Sequence, residues 1–255
     1  MAKKNTATHQ RINSYFLCAE TGRGKTYTLK NMLRDKYSHI PEDNRFVICP
    51  TFFDDPEKPL GDYFTNEELV FEEMSDEFIP ALKELIRKDR KEVYEKWNYR
   101  IDKKGKSIKI PRERNTEPYN EFILVLDDCV EYLRSGSTRL TDLDLLLTRN
   151  RHILLNVIIT GQLYKSCSPC IRTNVRQIYL WGCSLGELKK ICDETNELKS
   201  NKDFYDYFRF ITKPEHSYFH INNKKQGVAK YSENPVTFKE FKLLREAGEI
   251  DSDDE

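Results

Sequence analysis

Residues 19–27 read AETGRGKTY. They fit the phosphate-binding pattern G-x-x-x-x-G-K-[ST] at Gly24, Lys25 and Thr26. Ala19 stands where the pattern has its first glycine, and Gly22 adds a second flexible position. The chemistry of such a turn is a row of backbone N–H groups curled around an anion at the start of a helix. Glu20, Thr21, Gly22, Arg23, Gly24, Lys25, Thr26 and Tyr27 are expected to form that cradle. Lys25 would reach the β- and γ-phosphates of ATP, and Thr26 would offer its hydroxyl to Mg²⁺. The second half of a site of this kind is a carboxylate at the tip of another buried strand. FILVL at Phe122–Leu126 followed by Asp127 and Asp128 supplies it. Asp127 is expected to share the metal with Thr26, holding it through water, and Asp128 to polarise the attacking water. A third polar tip is Gln162, which ends the run LLNVIITGQ and could sense the γ-phosphate.

These residues need particular elements beneath them. SYFLC at Ser14–Cys18 reads as a strand that runs straight into the glycine turn, and a helix is expected over Lys25–Tyr37. Further strands are expected at 45–49, Phe122–Leu126, 154–160 and 176–181, and helices at 75–99, 138–148 and 185–199. Residues 217–222 and 228–231, joined by NKKQG, read as a terminal hairpin. Apolar strands alternating with helices predict an α/β fold with a mainly parallel sheet covered on both faces. The organisation expected is a polar arm at 1–13, one P-loop ATPase domain over 14–236 with a basic insertion near 75–120, and an acidic tail over 237–255.

Composition bounds the partners. The chain has 255 residues, is 38% hydrophobic and 33% charged, and has a formal net charge of zero. Attraction to nucleic acid must therefore be local rather than a field of the whole protein. Residues 83–114 provide such a locality, with thirteen basic residues against six acidic ones. That segment reads either as a DNA-facing surface or as a solvated helix with ion pairs one turn apart. The start MAKKNTATHQRINS has no apolar core for a secretory leader, and no apolar run is long enough to span a bilayer. The seven scattered cysteines fit reduced thiols in a cytosolic compartment.

Taken in order, the phosphate loop, RFVICPTF, LVLDD, RNRH, VIITGQ and IRTN form a set. This set resembles the viral genome-packaging ATPases of the FtsK–HerA superfamily, in particular the poxvirus-like branch of large DNA viruses, virophages and Polinton-type elements. The resemblance covers residues 14–180, with a weaker echo in YFHINNKKQGVAKY. It implies an ASCE-type, RecA-like P-loop fold with strand order 5-1-4-3-2. It also implies a homo-oligomeric ring that drives double-stranded DNA, regardless of sequence, into a preformed capsid. The implied partners are that DNA, further copies of the chain and a capsid vertex or capsid protein, with no membrane. The implied place is the host cytoplasm, a viral factory or the virion. Arg149, Arg151 and Arg172 become candidates for an arginine finger, and Arg151 is expected to act on a neighbouring subunit. Two other functions compete: another FtsK–HerA-type DNA translocase, and a nucleotide-gated assembly protein with little turnover. The joint presence of Lys25, Asp127, Asp128 and Gln162 argues against the latter, since a pure binder needs no group to position water.

Overall fold

A computed structural model of the chain describes residues 12–54, 59–101, 105–109, 120–129 and 138–250. Most of the expected polar arm and the last five residues lie outside that range. Strand β1 at Ser14–Cys18 leads through the glycine turn into helix α1 at Lys25–Tyr37. Strands β2 (Arg45–Ile48) and β3 (Val70–Phe71) follow, then helix α2 (Phe78–Asn98) and a small antiparallel pair, β4 (Tyr99–Ile101) with β5 (Ser107–Lys109). Next come β6 (Phe122–Leu126), α3 (Thr138–Arg149), β7 (Leu155–Gly161), α4 (Pro169–Asn174) and β8 (Gln177–Leu180). The chain continues through α5 (Leu185–Thr195), α6 (Asn201–Thr212), β9 (Phe219–Asn222) and α7 (Phe238–Glu246).

One sheet holds seven strands in the order β3-β2-β6-β7-β1-β8-β9. Its inner run β8-β1-β7-β6-β2 is the 5-1-4-3-2 arrangement, and every pairing within it is parallel. The sheet differs from the expected one in two extra edges: β3 adds a parallel strand beside β2, and β9 an antiparallel one beside β8. The strands are apolar throughout because both faces are covered. Alternate residues point to opposite faces. Phe16, Phe46, Leu124 and Val157 meet α2, α3, α5, α6 and α7, whereas Tyr15, Leu17, Val47, Val125 and Ile158 meet α1 and the segment around Phe52 and Phe64. No helix among the described residues is long and apolar enough to cross a membrane.

The C-terminal quarter departs from the hairpin expected there. β9 pairs with β8, while Gly227–Tyr231 folds as a 3-10 helix. Burial explains the difference. Tyr231 is fully buried, its ring lies against Phe204, Tyr207 and Phe219, and its hydroxyl donates to the Thr195 carbonyl. A strand position would have surrendered that packing. Helix α5 also stops at Thr195, earlier than expected, where Asn196 turns extended and its side-chain oxygen accepts from the Leu198 N–H. Residues 238–246, read as part of an acidic tail, instead form α7. A reciprocal cap between Thr237 and Glu240 starts it, and Phe238 and Phe241 dock it into the core.

Candidate nucleotide-binding site

The turn between β1 and α1 needs two residues in the left-handed region, and glycine fills both: Gly22 has φ 81° and Gly24 φ 90°. Gly24 caps α1 without any side-chain hydrogen bond, and the first turn of α1 carries no acidic residue. Its leading N–H groups and the positive end of the helix dipole therefore face outward together. Ala19 is not among the residues of positive φ, and its N–H continues the ladder to the Gly161 carbonyl at 3.1 Å. A methyl group costs nothing there, which accounts for the missing first glycine. An open cleft of about 310 Å³ lies over the turn. Of the eight expected cradle residues all but Arg23 line it, joined by Asp128 and His216. Arg23 turns outward and lies 3.9 Å from Glu20, one turn-width back.

The two carboxylates stand where β6 ends. The buried Lys25 ammonium is ion-paired with Asp128. Asp128 has φ 51°, a conformation that costs a non-glycine residue about 1–3 kcal/mol, and its N–H donates to Thr160 Oγ1 at 2.9 Å. The same Thr160 hydroxyl donates to Asp127 Oδ1 at 2.6 Å. One buried side chain on β7 thus fixes both acids, a role that sequence reasoning did not assign to it. Its signal was a hydroxyl inside an otherwise apolar strand. The Cys49 thiol, 3.8 Å away, faces the other oxygen of Asp127. Burial raises the pKa of the Asp127 carboxyl, and the Thr160 hydrogen bond offsets part of that. The hydrogen bonds that Asp127 receives come from neutral groups, and the Thr26 hydroxyl makes none among the described residues. Two hard oxygen donors, one of them a buried carboxylate, suit a divalent cation such as Mg²⁺.

Gln162 is the first residue past β7. It is exposed and borders a narrower recess together with Cys18, Ala19 and Glu20, beside the start of the turn. The arginines are distributed differently. Arg151 lies in the short 3-10 turn Asn150–Ile153 that enters β7 and is exposed. Because β7 runs parallel to β1, this is the end of the sheet opposite the glycine turn. Arg149, at the end of α3, is exposed on the same approach. Arg172, the rival candidate for the finger, is engaged within the subunit. Its Nε and Nη2 donate to the two oxygens of Glu194 at 2.7 and 2.8 Å, its Nη1 donates to the Cys167 carbonyl, and it stacks 5.2 Å from the Tyr164 ring. Burial works against ionisation of Glu194, yet this guanidinium and Lys190 hold its carboxyl down at about 2. Arg172 clamps α4 to α5, with three of its five N–H donors engaged inside the subunit.

No family model matches the sequence, and no curated protein does. Solved structures do share its fold. The genome packaging NTPase B204 from Sulfolobus turreted icosahedral virus 2, in complex with AMP, superposes with a TM-score of 0.54 at 14% identity, over 85% of this chain and 95% of that one. B204, the DNA-packaging ATPase from Sulfolobus turreted icosahedral virus, gives 0.54 at 13% identity, over 84% and 94%. The complex of the former with ATP-gammaS gives 0.51 at 13% identity, over the same shares. The likeness spans nearly the whole of each partner and is one of fold: an α/β P-loop NTPase.

Proposed function

We propose that this chain is an ATP-hydrolysing motor of the FtsK–HerA type that works as a ring of identical subunits and drives double-stranded DNA into a preformed capsid. One observation carries the reading. The glycine turn, the buried Lys25 and the Thr160-tethered Asp127 and Asp128 come together, and Gln162 stands beside them, at the carboxyl ends of three adjacent parallel strands. That is where open parallel sheets place their ligands. The fold shared with B204, itself named a DNA-packaging ATPase, supports the choice of motor.

In this reading the N–H groups of the turn and Lys25 bind the β- and γ-phosphates. Thr26 and Asp127 would hold Mg²⁺, which would neutralise charge on the phosphates. Asp128 orients water and accepts its proton, and Gln162 registers whether the γ-phosphate is in place. Exposed Arg87, Lys88 and Lys91 on α2 support contact with a DNA backbone, which suffices for a motor blind to sequence. Arg87 also sits 3.6 Å from Glu84, and Lys83 3.6 Å from Asp142, so part of the basic surface is neutralised within the subunit. Lys103 and Lys104 lie outside the described residues.

The decisive experiment measures ATP turnover with and without double-stranded DNA, alongside the mass of the assembly. Turnover should rise with DNA of any sequence, and the stimulation should fade steeply with salt. Basal hydrolysis indifferent to DNA, from a monomer, would sink the motor and leave only the ATPase.

The Thr160 tether yields a second expectation. Thr160→Val keeps the shape and removes both hydrogen bonds to the acids. It should lower kcat by roughly 10–100-fold, the usual cost of losing a group that orients a metal-site carboxylate. KM for ATP should move little, and Thr160→Ser should recover most of the loss. A KM effect with kcat intact would make Thr160 a binding residue rather than a positioning one.

A further inference from the structure

The cleft over the glycine turn has a wall that the phosphate chemistry does not use. His216 lies on the loop between α6 and β9 with φ 61°, a left-handed conformation uncommon for residues other than glycine. Two contacts hold it there. The buried Trp181 donates its indole N–H to the His216 carbonyl at 3.1 Å, and the Ser217 N–H closes a turn onto the Pro214 carbonyl at 3.1 Å. The imidazole points at the start of α1. A Cβ at Gly24 would come within 3.2 Å of His216 Nδ1, so the ring lies directly over the residue that caps the helix. The side chain is 60% exposed, and its one ionic neighbour among the described residues is Glu215 at 3.6 Å. Core packing does not explain why an anchored, left-handed histidine faces this cleft.

Tyr27 occupies the same cleft from the first turn of α1. At 72% it is the most exposed of the large hydrophobic residues described, and it makes no ring contact among the described residues. The cleft, at about 310 Å³, lies at the low end of the ~300–1,000 Å³ typical of small-molecule sites. A triphosphate seated on the turn uses N–H groups and Lys25, which leaves two unstacked aromatic rings at the cleft with no phosphate to serve.

We infer that His216 and Tyr27 form the wall that receives the heterocyclic base of the nucleotide. The inference rests on the reading of the cleft as an ATP site. Stacking on aromatic faces tolerates every base, because each has a π-face. The wall therefore adds affinity without selecting strongly among purines.

Calorimetric titration with ATP and with inorganic tripolyphosphate, both with Mg²⁺, separates base from phosphate contacts. His216→Asn and His216→Gly both tolerate the left-handed backbone and avoid a folding defect. Each should weaken ATP binding on the order of tenfold and leave tripolyphosphate binding as it is. Tyr27→Ala should behave likewise, and Tyr27→Phe, which keeps a ring, should lose less. Equal losses for both ligands would assign these side chains to the phosphates and overturn the wall. Unchanged ATP affinity in the His216 and Tyr27→Ala variants would overturn it as well. A wild type that binds tripolyphosphate and ATP equally well would show that no base wall exists. A wild type that binds neither would remove the nucleotide reading together with it.

Discussion

Lys25→Ala is expected to reduce ATP turnover by at least a hundredfold to a thousandfold, the scale lost when one preorganised donor is removed from a developing charge. The ammonium is buried, so no water of comparable field strength takes its place. Folding should survive, because the ion-pair partner Asp128 keeps 41% of its side chain exposed and can be hydrated once Lys25 is gone. A thermal melt separates that outcome from simple unfolding. Asp128→Asn makes the contrasting test. Its amide retains an oxygen for hydrogen bonding but cannot take a proton from water, so ATP binding should persist while turnover is lost. Near-normal turnover in Lys25→Ala would refute the assignment of the site. Weakened ATP binding in Asp128→Asn would make Asp128 the metal residue and exchange its role with that of Asp127.

Much of this site was legible because its parts are local. A glycine turn that ends in Lys-Thr dictates where α1 begins, and the expected span Lys25–Tyr37 matches the helix observed. FILVL and LNVIITG announce central strands because only a strand covered on both faces is apolar at every position. The sheet order came from resemblance and not from periodicity, which carries no information about which strands are neighbours. Three misses have different physical origins. Helix α6 was overlooked although Ser200 caps it and Phe204, Tyr207, Phe208 and Ile211 repeat at helical spacing, so its signal was present and local. The 3-10 helix around Tyr231 was not legible, since aromatic rings far along the chain decide it. The capping box of α7 was obscured by an acidic C-terminal composition. Among site residues, His216 lacks any local pattern: only the packing of Trp181 beneath its loop brings it over Gly24. Arg172 follows the sensor strand closely in sequence, but proximity along the chain does not show that Glu194 consumes its guanidinium.

Arg151 is expected to act on the nucleotide of a neighbouring subunit, and the geometry gives reasons. It enters β7 at one end while Gln162 leaves at the other, and seven residues at ~3.3 Å each put roughly 20 Å between them. An arginine side chain cannot cover that distance within its own subunit. Nor is Arg151 used locally. Among the described residues it pairs with no carboxylate and donates to none of the last carbonyls of α3, the structural duty a cation at a helix end would otherwise perform. Its neighbours are cations. Arg176 and Lys224 have their pKa values lowered first by burial and then by the charge of Arg151. Cations with no carboxylate partner among the described residues favour an anion from outside, and a guanidinium suits a phosphoryl group in geometry as well as charge. In a ring that anion would be the γ-phosphoryl group of the next subunit, where such a finger is worth about a thousandfold or more in rate. Subunit mixing tests this directly. Arg151→Ala and Lys25→Ala proteins should each be inactive alone, and mixed rings should recover part of the activity, because some interfaces then join an intact loop to an intact finger. Arg172→Ala should instead melt at lower temperature, since losing charge-assisted hydrogen bonds costs about 1.5–3 kcal/mol, with Lys190 and Tyr164 still on Glu194. If no mixture with Arg151→Ala recovers activity while Arg172→Ala complements Lys25→Ala, the finger is Arg172, and the cationic corner around Arg151 serves some other anion.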